Sequence, residues 1–273
     1  MADRHSTPRL ITLLTDFGTG SPYVAAMKGA ILSTNPAAML VDLTHAVPPQ
    51  DIREGALVLE EIAPRFPPGT IHVAVVDPGV GTQRAIVYAC IAGQHYVAPD
   101  NGLLSRLVLD TPPTQVVRLS RAEYWGQPVS ATFHGRDIMA PVAARLSLGL
   151  DPALLGEPLA GLTTLDWPPV RVTPGRVEGA VLRIDSFGNL ITNIGRALLD
   201  SLPAARWQTT CRGRTIDGLA ETYGQAPPGT FVAVIGSTGR LELALVQGSA
   251  AAALGACVGD AVRVEGSVAG STA

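Results

Sequence analysis

The stretch IHVAVVDPGVGTQR, Ile71–Arg84, sets a carboxylate (Asp77) and a guanidinium (Arg84) around glycines that free the backbone. An apolar run broken only by His72 leads into it and stops at Asp77-Pro78-Gly79. Such a run, with no alternating polar face, reads as a strand buried on both sides of a parallel sheet. In open α/β sheets the functional crevice lies beyond the carboxyl ends of such strands. Taken alone, the stretch also fits a β-turn carrying a solvated Asp and Arg, so its neighbours must decide. A second polar cluster is ATFHGRDIMAP, Ala131–Pro141, where His134, Arg136 and Asp137 surround Gly135. A glycine there leaves room for close approach to the backbone. His134 reads equally as a satisfied core or surface imidazole and as a working one.

The elements that must position these groups alternate. Leu10–Leu14 is a strand ending at Thr15-Asp16. Ser21-Pro22 supplies an N-cap and a first-turn proline, and Tyr23, Met27, Ala30 and Ile31 mark one face of a helix stopping before Pro36. Met39–Leu43, containing Asp42, is a second strand. Asp51 and Glu54 form a capping-box-like start to a helix with Ile52, Leu59 and Ile62 on its apolar face. Ile71–Val76 follows, then a strand pair, Ala85–Ile91 and His95–Ala98, ending near Asp100. This order predicts a right-handed, mostly parallel α/β sheet with Asp16, Asp42, Asp77 and Asp100 converging at one edge. Asp137 is expected to cap a helix running to Leu148, with Gly149 just past its end and Pro141 leaving its start open. Dinucleotide-binding and P-loop signatures are missing from the sequence, which disfavours both classes.

From Gly149 to Gly175 the chain turns Pro-rich and reads as a linker. The expectation is an N-terminal α/β domain over 1–168 and a smaller C-terminal domain over 169–273. Short candidate strands at Val177–Ile184, Leu190–Ile194, Trp207–Cys211, Phe231–Ile235, Leu241–Val246 and Ala261–Val264 suggest a small antiparallel barrel or sandwich. Two polar knots, Asp185–Asn189 and Gly236–Arg240, fit ordinary hairpin turns; an aromatic beside Asn and Asp also suits a stacked purine.

Hydrophobic residues make up 47 % of the 273, ample for a sizeable core. A mean hydropathy of +0.26 agrees with that. Only 16 % of residues are charged, which suggests a compact, extensively buried or oligomeric protein. A net charge of -3 and a pI near 5.9 offer nothing to nucleic acid or an anionic membrane. No run approaches the roughly 20 apolar residues a bilayer requires, and Met1–Arg9 lacks a signal-peptide core. Cys90, Cys211 and Cys257 are too far apart for a zinc site or a disulfide frame. A soluble, cytoplasmic protein is expected.

Together TDFG (Thr15–Gly18), THAVPPQDI (Thr44–Ile52), VVDPGVGTQR (Val75–Arg84), APDNGLL (Ala98–Leu104), FHGRDIMAP (Phe133–Pro141), DSFGNLITN (Asp185–Asn193) and STGRLELA (Ser237–Ala244) resemble the S-adenosylmethionine hydroxide adenosyltransferase family. These are relatives of the S-adenosylmethionine-dependent chlorinase and fluorinase. The resemblance implies an N-terminal α/β domain, a C-terminal β-barrel-like domain and a homotrimer with active sites between subunits. It implies that S-adenosylmethionine is a substrate rather than a cofactor, and that no metal takes part. Asp16 would hold the ribose hydroxyls. Phe187 and Asn189 would hold the adenine, with backbone groups around Gly248-Ser249-Ala250 reading its amino edge. Asp185 would face the methionine end.

The hydrolytic branch of that family carries an Asp, an Arg and a His, matched here by Asp77, Arg84 and His134; the halogenases place an aromatic residue where Asp77 stands. A halide needs a dehydrated slot that a carboxylate would spoil, whereas a water needs a proton acceptor and an orienting donor. Arg84 and His134 are expected to position the water, and Asp77 to accept its proton or set the His134 tautomer. Gly135 replaces the fluorinase's serine, and Gln50 its tryptophan over the ribose. The competing readings are a chlorinase, a non-catalytic adenosyl-ligand sensor, and a metal-dependent hydrolase using Asp16, Asp42, His45, Asp77, Asp100 and His134.

Overall fold

The computed structural model describes residues 10–109, 111–202 and 206–267. It divides into two compact units, with the boundary between Leu165 and Asp166. Among the described residues no helix is long and apolar enough to cross a membrane.

In the first unit the strands are β1 (Leu10–Thr15), β2 (Met39–Thr44), β3 (Ile71–Val75), β4 (Ile86–Ile91), β5 (Gln94–Pro99) and β6 (Gln115–Arg118), and the helices α1 (Pro22–Thr34), α2 (Ile52–Ile62) and α3 (Ala140–Ser147). Their sheet order is β2-β1-β3-β5-β4-β6. β2, β1, β3 and β5 run parallel, and β4 lies antiparallel to both β5 and β6. The mostly parallel α/β expectation therefore holds. β3 is buried throughout. Its Ile71, Val73 and Val75 pack with Met27 and Ile31 of α1 and Val142 of α3, while Ala74 and the following Val76 pack with Leu59 of α2. Ser21 caps α1, and Asp51 caps α2 by accepting from the Glu54 N–H.

Several local expectations are corrected. Tyr23 is 56 % exposed; Val24, Met27 and Ile31 form the buried stripe of α1 instead. β6, a four-residue strand, has no periodicity long enough to read. The start of the supposed linker is built onto it: Arg118 N–H donates to Glu157 O, and Leu159 N–H to Val116 O.

His72, the one polar side chain of β3 facing α2's layer, is fully buried, stacked on Tyr96 and bonded through Nδ1 to Thr12 Oγ1 at 2.7 Å. Burial pushes its pKa down to about 4. An unfolded histidine titrates near 6.5, so between these values the unfolded chain binds more protons and stability falls as pH falls. The stability lost from pH 7 to pH 4 through this group should be roughly 3 kcal/mol. Thermal melts across that range check it: His72→Phe should flatten the acid-side slope relative to the unaltered chain.

The second unit contains β7 (Arg171–Thr173), β8 (Arg176–Ile184), β9 (Leu190–Gly195), α4 (Arg196–Asp200), β10 (Arg206–Cys211), β11 (Arg214–Asp217), β12 (Phe231–Ile235), β13 (Arg240–Leu245), α5 (Ala250–Leu254) and β14 (Ala261–Ser267). The strands pair antiparallel in the order β11-β10-β14-β8-β9-β13-β12, with β7 on β8. β8 spans the sheet's bend, pairing with β14 through Ala180 and with β9 from Val181. A bridge from Ala220 to Val234 of β12 nearly closes the barrel around Val177, Val181, Leu241, Leu243 and Val262. The sequence missed β7 and β11, both short and polar.

Candidate active site

Parallel registry of β1 with β3 sets Thr15 opposite Val75, so Asp16 and Asp77 leave the sheet at the same edge. The turn after β3 is closed by Val80 N–H to Asp77 O and Thr82 N–H to Gly79 O. It folds Arg84 back onto Asp77. Arg84 Nε donates to both carboxylate oxygens at 2.9 Å, and Nη2 contacts Oδ2 as well. Nη2 also lies 3.0 Å from His134 Nδ1. The side chains of Asp77 and Arg84 are 4 % and 11 % exposed, which makes this a buried, fixed pair.

The chemistry of the contact fixes the imidazole. A guanidinium only donates, so Nδ1 must accept and the ring proton sits on Nε2. Burial and then the Arg84 charge lower the His134 pKa, outweighing Asp77 and Asp137, which raise it. His134 is therefore the neutral Nε2–H tautomer at neutral pH. Among the described residues no hydrogen bond joins Asp77 to His134; Arg84 links them.

His134 is held by a π-helical turn, Gly135–Met139, running into α3. Pro141 has no N–H for the Asp137 carbonyl, which accepts from Gly126 N–H at 2.7 Å instead. Ala140 N–H reaches back to Gly135 O, widening the turn. Such π turns recur at functional sites. Asp137 is thus not the N-cap expected of it. Its carboxylate accepts from Ser130 N–H and from the Arg136 guanidinium, tying down the segment that precedes His134. Gly135 is buried; a Cβ there would lie 3.3 Å from Met27 Sδ and 3.4 Å from Val75.

The two loops touch at Gly81, whose φ is +79° and whose added Cβ would lie 2.5 Å from Ala131 O. Gly81→Ala should destabilise the fold by about 1–3 kcal/mol. By displacing Arg84 from His134 it should also lower kcat by roughly 10²-fold. Chemical denaturation and steady-state rates check both.

A cavity of about 420 Å³ opens at this edge. Asp77, Val80, His134 and Gly135 form one side, with Asp16 and Gln50 elsewhere on its wall and Phe17, Tyr23 and Phe133 supplying aromatic surface. Arg84 does not line it. Gln50, at φ +66°, donates its N–H to Asp16 Oδ2 at 2.8 Å, leaving Oδ1 without a protein donor among the described residues. A larger hollow of about 970 Å³ in the second unit, around Trp207, contains none of the expected site residues.

The predicted convergence of strand-end carboxylates is only half met. Asp42 is bound by Lys28 Nζ at 2.7 Å and lies 3.1 Å from His45 Nε2, while Asp100 accepts from Thr163 N–H. Neither lines the cavity, and each is held by a partner of its own. No group of three His, Cys, Asp or Glu among the described residues is placed to hold a metal ion.

In the second unit, Asp185 Oδ1 accepts from the Phe187 and Asn189 N–H groups, and Oδ2 from Asn189 Nδ2. Asp185 thereby builds the turn, presenting Phe187 at 77 % exposure. Ala251 N–H donates to Gly188 O, so Ser249 and Ala250 at the start of α5 lie beside the turn. Ser249 Oγ caps α5 by accepting from Ala252 N–H. Sequence reasoning passed over Tyr23, assigned to the core, and placed Gln50 over the ribose only by resemblance; the backbone N–H it gives Asp16 has no sequence signal.

Residues 11–156 match the family model for the SAM hydroxide adenosyltransferase N-terminal domain, and residues 179–263 the model for its C-terminal domain. The chain is 43 % identical over 263 residues to an (R)-S-adenosyl-L-methionine hydrolase of Thermus thermophilus, covering 94 % of this chain and 99 % of the relative. An (R)-S-adenosyl-L-methionine hydrolase of Salinispora tropica is 39 % identical, covering 93 % and 97 %. A fluorinase of Nocardia brasiliensis is more distant, at 30 % identity covering 86 % and 89 %. The crystal structure of an uncharacterized conserved protein from Thermotoga maritima superposes with a TM-score of 0.86 at 33 % identity, covering 93 % of this chain and 99 % of that one.

Proposed function

Because the chain belongs to the SAM hydroxide adenosyltransferase family, we propose that it is the hydrolase that converts (R)-S-adenosyl-L-methionine to adenosine and L-methionine. The observation that carries this reading is the hydrogen-bonded Asp77–Arg84–His134 chain with Asp77 and His134 on the cavity wall. A water between them donates one proton to the Asp77 carboxylate while its oxygen accepts from His134 Nε2–H. The oxygen's remaining lone pair attacks C5′, and the C5′–sulfur bonding pair leaves with methionine. The sulfonium is a good leaving group, so alignment matters more than basicity. Charge balances with one proton released to solvent per turnover. Arg84 fixes the imidazole tautomer and holds the Asp77 carboxylate in place, acting on the water through its two neighbours.

Asp16 Oδ1 holds the ribose hydroxyls. Phe187 stacks on the adenine, Asn189 hydrogen-bonds it, and Ser249 and Ala250 read its amino edge; Asp185 shapes that turn and faces the methionine end. Gly135 leaves space beside the attacked carbon. The catalytic and adenine-holding groups come together across subunits of a cytoplasmic homotrimer, which sedimentation equilibrium tests.

The direct test is incubation of the protein with each sulfonium epimer, with and without high chloride, followed by chromatography. Adenosine and methionine from the (R) epimer are expected in both. 5′-Chloro-5′-deoxyadenosine would mean a chlorinase, and ligand recovered unchanged would mean a sensor. Activity abolished by a strong chelator would restore the metal-dependent reading.

A further inference from the structure

The aromatic part of the cavity wall has no task in the hydrolysis so far. Phe17, Tyr23 and Phe133 meet edge to face, with centroids 5.9 Å apart for Phe17–Tyr23, 5.8 Å for Phe17–Phe133 and 5.2 Å for Tyr23–Phe133. All three line the cavity. An exposed tyrosine by itself means little. Tyr23, however, is 56 % exposed while pinned against two other rings, and its backbone is fixed at the capped start of α1 by Ser21 Oγ. Its hydroxyl makes no hydrogen bond among the described residues. The trio is an aromatic surface prepared in advance, with Tyr23 its exposed member.

A sulfonium carries a permanent positive charge but no N–H or O–H, so hydrogen bonds cannot recognise it. Negative charge, oxygen dipoles and the electron-rich face of a ring can, and the ring does so without offering a hydrogen-bonding group. In this cavity Asp77 is already paired with Arg84, and Asp16, which keeps its charge, accepts from Gln50 N–H and in the reading above is given to the ribose hydroxyls. The Arg136 guanidinium already lies over the Phe133 ring, 4.8 Å from its centroid, so among the described residues the rings left without a cation are those of Phe17 and Tyr23. We propose that the Phe17–Tyr23–Phe133 wall, through the ring of Tyr23, recognises the sulfonium charge and so separates the substrate from its uncharged thioether counterpart. The assignment rests on the hydrolase reading above. It makes Tyr23 a specificity-determining residue, discriminating between two molecules that share every nucleoside and amino-acid contact.

The test uses the full chain with Tyr23→Phe, which keeps the ring, and Tyr23→Leu, which keeps apolar bulk but removes it. The concentration dependence of single-turnover rates gives the affinity for (R)-S-adenosyl-L-methionine, and competition against it gives the affinity for S-adenosyl-L-homocysteine. Tyr23→Phe should leave the ratio of the two near that of the unaltered chain. Tyr23→Leu should reduce the preference for the sulfonium about three- to thirtyfold, chiefly by weakening its binding. Phe17→Leu, a second route to a broken trio, should lower the same ratio. Equal weakening of both ligands in Tyr23→Leu would overturn the proposal and leave Tyr23 a packing residue. Loss of preference in Tyr23→Phe as large as in Tyr23→Leu would also overturn it, assigning the effect to the hydroxyl. Failure of the hydrolase reading is seen separately, as no adenosine from the unaltered chain.

Discussion

Asp77→Ala should lower kcat by roughly 10²–10⁴-fold, the range expected when a positioned proton acceptor is removed. Two effects compound in this variant. The water loses its acceptor, and the Arg84 guanidinium, 11 % exposed, is left buried without its counter-charge. Removing one partner of such a pair costs about 3–5 kcal/mol of stability, because the remaining ion has no water to return to. Asp77→Asn separates the two. It preserves side-chain shape and an oxygen for Arg84 but carries no charge to take a proton, so kcat should still collapse while the melting temperature falls less. Binding measured by competition with adenosine should change far less than kcat in both variants. Equal losses of binding and kcat would move Asp77 from the chemistry to substrate holding.

His134→Ala carries the second large effect, a loss of kcat of similar size, roughly 10²–10⁴-fold. Its pH dependence is more revealing than its magnitude. Nδ1 accepts from Arg84, so only the neutral ring fits the site. Protonation would set an imidazolium against a guanidinium. Burial and Arg84 together hold the His134 pKa below its ordinary value. Activity should therefore stay level through neutral pH and fall on the acid side at a pH below 6.5. The sign follows from the same shift: the protonated, inactive form is disfavoured in the folded protein, so the acid limb moves down rather than up. Arg84→Lys should raise that limb towards the ordinary histidine range, since a lysine cannot hold the same fork of contacts. Rate profiles of kcat from pH 5 to pH 8 check both statements.

The elements legible in the sequence were those whose burial is repetitive. The unbroken apolar run at Ile71 identified a strand covered on both faces, and β3 is buried at every position. Asp51 and Ser21 announced helix starts because capping is local chemistry. β6, β7 and β11 carry three or four residues each, too few to express a period. Tyr23 fell on the correct helical spacing for the core, but at the first turn of α1 that direction overhangs a cavity. The π turn below His134 arises from what Pro141 cannot donate and what Gly126 supplies from fifteen positions upstream of it. That exchange is tertiary and leaves no pattern in the chain.

The site shows the same division. Asp77 and Arg84 stood out at a buried strand's end and His134 beside Gly135; resemblance grouped the three, and their meeting is visible only in three dimensions. Their order in space was not legible: Arg84 stands between the other two and lines no part of the cavity. Asp42 and Asp100 looked equivalent to Asp16 and Asp77 in the sequence because each sits near a strand end. Lys28 and the Thr163 N–H, distant in the chain, withdraw them. A carboxylate's availability is decided by its neighbours in space, which spacing alone does not give.

The most direct measurement is the fate of solvent oxygen. When the protein turns over (R)-S-adenosyl-L-methionine in water enriched in oxygen-18, mass spectrometry of the products should find one heavy oxygen in adenosine, at the 5′ hydroxyl, and none in methionine. Adenosine without the label, or heavy oxygen on the amino-acid fragment, would contradict attack of water at C5′ between Asp77 and His134.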